Sequence, residues 1–84
     1  MPEGLVILVV CRKRIWNEHY RHMAGKSLDT YHHIEEQGRV ERVMEVGAFD
    51  RVITHGCRMS DDMWSALNHR CIQFNARMYR EDYI

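Results

Sequence analysis

Between Gly4 and Cys11 the chain runs Leu5-Val6-Ile7-Leu8-Val9-Val10 without one polar residue. The run is rich in β-branched side chains and is bounded by a glycine and a basic cluster, so it predicts a strand. Successive side chains of a strand point to opposite faces, so an apolar run of this kind must be covered on both. A parallel sheet with helices on either side meets that demand. The run is far too short to span a bilayer, and it follows Glu3 rather than a basic stretch. No membrane span and no signal peptide are therefore expected.

Length sets the next bound. Eighty-four residues make one domain, residues 1–84, with no internal linker: the one proline is Pro2 and no segment is of low complexity. A chain of this size buries roughly 60–65% of the surface that its unfolded form exposes, so pairing with a partner would add stability. Twelve basic and twelve acidic residues cancel, which argues against a general nucleic-acid binder. Arg12, Lys13 and Arg14 form a local basic knot, while Glu35, Glu36, Glu41 and Glu45 lie in an acidic middle. Cys11, Cys57 and Cys71 are odd in number and lack paired Cys-x-x-Cys spacing, which suits reduced thiols in the cytoplasm.

The rest of the chain is read from its punctuation. Asn17 to Met23 predicts a short helical stretch with Asn17 as cap, interrupted at Gly25. Ser27 is a second cap, and Leu28, Tyr31, Ile34, Val40, Val43 and Met44 recur at helical spacing. Gly38 weakens or divides that helix, and Gly47 stops it. Arg51–Thr54 predicts a second strand, and Asp61–Arg70 a helix capped by Ser60, with Asp61 and Asp62 complementing its dipole and Met63, Trp64 and Leu67 buried. Cys71-Ile72-Gln73-Phe74 predicts a short third strand, followed by a polar-aromatic tail. The expectation is an α/β, Rossmann-like domain: a three-stranded parallel sheet in β-α-β-α-β order.

Two strand ends resemble one another. Val6-Ile7 leads to Cys11-Arg12, and Val52-Ile53 leads to Cys57-Arg58. Ligands bind beyond the carboxyl ends of strands in open parallel sheets, so both corners belong to one candidate edge. The second corner, Gly56 to Asp61, has a tight glycine turn and a helix start, which are ingredients of an anion site. Arg58, Arg12 and Arg14 would add charge and bidentate donors. The structural alternative is a plain helix cap with Arg58 paired to Asp61 and Asp62. Asp61 also admits two roles, ribose-hydroxyl acceptor or dipole complement.

This order of pieces resembles a SLOG-type domain, the Rossmann-like superfamily of the lonely-guy nucleotide hydrolases and small bacterial and phage nucleotide sensors. In its sensor-like branch the first strand ends in a Cys-Gly-Gly/Ser-Arg-Asp-aromatic turn. The second enters a His-Gly-Gly-Ala-x-Gly-Ala-Asp loop, and the third ends near Phe-x-Ala-x-aromatic. The matching positions are Cys11, Arg14 and Trp16; then His55, Gly56, Cys57, Arg58, Ser60, Asp61, Trp64 and Ala66; then Phe74, Ala76 and, displaced by one, Tyr79. Arg12 and Lys13 replace the small residues of the first turn, one loop glycine is missing, and Met59 stands where a glycine is usual. The resemblance implies a divergent, truncated, non-catalytic domain that binds a nucleotide-derived ligand through Cys11, Arg12, Arg14, His55, Gly56, Arg58, Ser60 and Asp61.

Rival chemistries have less behind them. His19 and His22 share a helical face, but no spacing supplies the third and fourth ligands of a zinc site (His55, Cys57), so neither metal nor cofactor is expected. Cys57 beside His55 suggests a thiolate nucleophile, although a buried cysteine at a strand end is commoner. The runner-up function is a phage-type protein-binding inhibitor or adaptor with a degenerate nucleotide site. Arg, Tyr, Trp and Met are enriched in interface cores. The segment Asn75–Ile84 is a candidate for covering a sheet edge or pairing with a second copy in a homodimer.

Overall fold

The computed structural model describes residues 4–56 and 58–81. Within them, strands β1 (Val6–Cys11), β2 (Thr30–Glu35), β3 (Arg51–His55) and β4 (Arg77–Glu81) form one sheet in the order β2-β1-β3-β4, with every pair parallel. Helical segments lie between them: α1 (residues 13–24), α2 (Glu41–Val46) and α3 (Asp61–Phe74). The expected α/β, Rossmann-like parallel architecture is present, with four strands rather than three.

Both faces of β1 are covered. Leu8 and Val10 join Ile34, Val43, Phe49, Val52, Met63 and Leu67 in a buried cluster on the side of α2 and α3. Ile7, Val9 and Cys11 join Ile15 and Tyr20 in a second cluster beneath α1. Each such aliphatic side chain contributes roughly 1.5–3 kcal/mol relative to leaving it exposed, so this strand anchors the sheet. At its amino end, Leu5 N–H donates to Asp29 Oδ1 and Val6 N–H to Asp50 Oδ2, both at 2.8 Å. These aspartates immediately precede β2 and β3 and tie the three strand starts together.

Two segments depart from the expected elements. Leu28, Tyr31 and Ile34 do not form a helical face: Leu28 is 82% exposed, and residues 30–35 are an edge strand. Tyr31 and His33 follow Ile7 and Val9 on the α1 side, while Ile34 follows Val10 on the other. The alternation was masked because histidine serves either face. Gly38 lies in the turn after β2, where its N–H donates to the Glu35 carbonyl, and α2 keeps one short stretch ended at Gly47.

The segment Cys71–Phe74 is not a strand but the last turn of α3. Met63, Leu67, Cys71 and Phe74 continue one helical stripe against the core. The helix stops one residue later, where Asn75 adopts φ 53°, Asn75 N–H donates to the Ile72 carbonyl and Ala76 N–H to the Cys71 carbonyl. This left-handed stop suits asparagine, whose short polar side chain tolerates it. The strand expected at 71–74 is replaced by β4, drawn from the former tail. In α1, helix begins at Lys13, so Asn17 is interior rather than a cap, and Trp16–Tyr20 form a π-helical turn. Among the described residues no helix is long and apolar enough to cross a membrane.

Candidate functional site

The connection from β1 leads outward to β2, whereas that from β3 leads to β4, so the sheet reverses its winding between β1 and β3. Parallel pairing of these strands puts the ends of both at one edge: Cys11 and His55 each lie one residue beyond the paired Val10 and Thr54. In doubly wound sheets the crevice beside such a reversal is where ligands are received.

Three side chains from two turns close it. Arg12 follows β1, and its Nε donates to Glu36 Oε1 at 2.8 Å. Glu36 Oε2 accepts the Arg58 backbone N–H at 2.6 Å, and Gln37 Nε2 donates to the Arg58 carbonyl, also at 2.6 Å. Glu36 follows β2, on the far side of β1 from the β3 loop, so its carboxylate bridges the crevice across the end of β1. It is only 5% exposed. A guanidinium and a backbone N–H thus converge on one buried negative group.

The predicted residues divide around this bridge. Gly56 turns the chain at φ 58°, a left-handed conformation that favours glycine, and its N–H donates to the Glu81 carbonyl. Ser60 caps α3, its Oγ accepting the Met63 N–H at 3.2 Å, and Asp61 opens the first turn. Arg58 enters the site through its backbone. Its side chain is exposed and forms no ion pair with Asp61 or Asp62. Arg14 lies on the outer side of α1, Nε donating to Glu18 at 3.2 Å; with Arg12, Ile15 and Glu18 it lines a cleft of about 230 Å³. Cys11 is fully buried under α1. Cys57, and with it the nucleophile and fourth-ligand ideas, lies outside the described residues.

His55 joins an array of rings under α1. Tyr20 Oη lies 3.0 Å from His55 Nδ1, and the His19 ring is 5.1 Å from that of His55. Trp16 stacks on His33 with centroids 5.1 Å apart and planes 11° from parallel, while His33 Nε2 donates to the Cys11 carbonyl at 2.9 Å. The π-helical turn carries Trp16, His19 and Tyr20, three of the ring positions. No group of three or more His, Cys, Asp or Glu side chains suited to a metal ion occurs among the described residues. The wider clefts, each about 360 Å³, run along the β2 edge, one lined by Lys13, His33, Glu35, Gly38, Arg39 and Arg42. They are open and lie away from the β1–β3 reversal, so topology favours the crevice.

Glu36 is the residue that sequence reasoning passed over. In the sequence it is one of several acidic residues; its role comes from a contact 22 positions away in the chain. No spacing signals such a contact. Comparison with protein-family models, with curated proteins and with solved structures finds no match.

Proposed function

We propose that the crevice is a non-catalytic binding site for the phosphate of a nucleotide-derived ligand, in a divergent SLOG-like domain of the cytoplasm. One observation carries this reading: the Arg12 guanidinium and the Arg58 N–H already hold a carboxylate at 2.8 and 2.6 Å. Charged acceptors at such distances are the strong class of hydrogen bond, and phosphate offers the same donors more oxygens and more charge. The α3 amino terminus adjoins the loop and adds a favourable dipole. Asp61 and Asp62 oppose it, and Glu36 competes directly, so a ligand binds by displacing Glu36.

Calorimetric titration with AMP, ADP-ribose and cyclic nucleotides tests this. Glu36→Gln removes the competing charge and should bind at least one of them several-fold more tightly than the wild type, with Arg12→Ala binding more weakly than either. If neither wild type nor Glu36→Gln gives heat with any of these compounds, the carboxylate is a structural strap and the site is not one for nucleotides. The second reading, a protein-binding adaptor or inhibitor, draws on the β4 edge of the sheet, beside which no further strand lies among the described residues.

A further inference from the structure

We propose that β4 pairs with β4 of a second copy, antiparallel about Tyr79, to make a reversible two-fold dimer. The proposal stands on the sheet edge and is independent of what the crevice binds. Arg77 N–H donates to the Asp50 carbonyl and the Glu81 carbonyl accepts from Gly56 N–H. With the parallel register Arg51–Arg77 to His55–Glu81, residues 77, 79 and 81 therefore turn their backbone groups toward β3. Met78 and Arg80 turn theirs outward, and among the described residues no hydrogen bond engages these outward groups.

A two-fold axis at Tyr79 sets Met78 of each copy opposite Arg80 of the other. These are the residues with outward N–H and C=O groups, so each pair can exchange both bonds. The same register sets Arg77 opposite Glu81 at both ends and Tyr79 opposite Tyr79 at the centre. Within one chain Arg77 and Glu81 lie about 13 Å apart along the strand, too far to pair, and neither forms an ion pair among the described residues. Arg77 instead lies beside Arg51 in the β3–β4 register, a like-charge pair that a second copy's Glu81 would offset. Tyr79 is 39% exposed on the face that α1 leaves uncovered, with the Arg51 guanidinium 5.8 Å from its ring centre.

Charged edge strands commonly repel further strands. Here the charges are self-complementary under a two-fold axis, and other registers lose that match. Centring on Arg80 sets like charges opposite one another; centring on Met78 pairs Arg77 with Tyr79. The β2 edge lacks the property, since Thr30–Glu35 turned on itself sets Tyr31 against Glu35, and the Glu35 carbonyl is already taken by Gly38 N–H.

Sedimentation velocity of the full chain over a dilution series tests this. The wild type should show a concentration-dependent dimer. Arg77→Glu and Glu81→Arg should each abolish it, and the double exchange should restore it. Arg80→Pro removes an outward donor without touching the bonds to β3, so it should leave a monomer with unchanged far-ultraviolet circular dichroism. A wild type that stays monomeric throughout, a dimer that survives either single reversal, or a double exchange that fails to restore pairing would overturn the proposal.

Discussion

The two ends of β1 use the same bond for different ends. At the amino end, Asp29 and Asp50 accept the N–H groups of Leu5 and Val6, each carboxylate standing next to the strand that it aligns. At the carboxyl end, Glu36 accepts the Arg58 N–H and also a guanidinium, and it reaches across β1 to do so. The Asp50 side is exposed and water can replace its carboxylate; Glu36 is buried and water cannot readily do so. A carboxylate that holds strand starts in register is architecture. One that gathers donors at the reversal of the sheet is, under the function proposed above, the group that a ligand's phosphate would displace.

The contrast is broken most directly by removing each carboxylate in turn. Glu36→Ala leaves the part-buried Arg58 N–H without this acceptor and takes the carboxylate away from Arg12, and should cost about 2–3 kcal/mol in chemical denaturation. Asp50→Ala, whose strand N–H is open to water, should cost about 1 kcal/mol or less. Equal losses at the two ends would remove the distinction. The smallest effect is a control remote from both. Burial raises the Cys71 thiol above its usual value of 9.0. The folded chain therefore holds that proton more firmly than the unfolded chain. Its stabilising contribution is complete below the unfolded thiol's titration and is lost as pH rises through the folded one. Denaturation midpoints should fall more steeply above pH 9 in the wild type than in Cys71→Ser, and by the same amount in the Glu36 and Asp50 variants.

Legibility followed the strength of local signals. β1 was plain because its apolar run leaves one physical solution, and β3, the Ser60 cap and the Gly47 stop were plain from short patterns. β2 was hidden by histidines that fit either face, and by a coincidence of Leu28, Tyr31 and Ile34 with helical spacing. Cys71-Ile72-Gln73-Phe74 suits a strand locally, but it extends the helical stripe that runs from Met63 through Leu67 to Cys71 and Phe74, and the core contacts of that stripe decide for helix. Moving that boundary past Asn75 frees Arg77–Glu81 to be a strand, and a polar tail becomes the sheet edge. The sequence places both corners at one edge of the sheet, and the carboxyl ends of β1 and β3 do lie together there, while the contact that Arg58 makes with Glu36 is through its backbone N–H, which no side-chain pattern signals.

The sequence by itself determined that β1 is buried on both faces, that the sheet is parallel and flanked by helices, and that a glycine turn leads into a capped helix. These follow from periodicity, β-branching and capping chemistry, which act over a few residues. Only the tertiary structure decided that the order is β2-β1-β3-β4 and that Glu36 bridges the Arg12 guanidinium and the Arg58 N–H. Strand order and bridging contacts join residues more than twenty positions apart, and such pairings are set by how the layers pack rather than by any short stretch of chain.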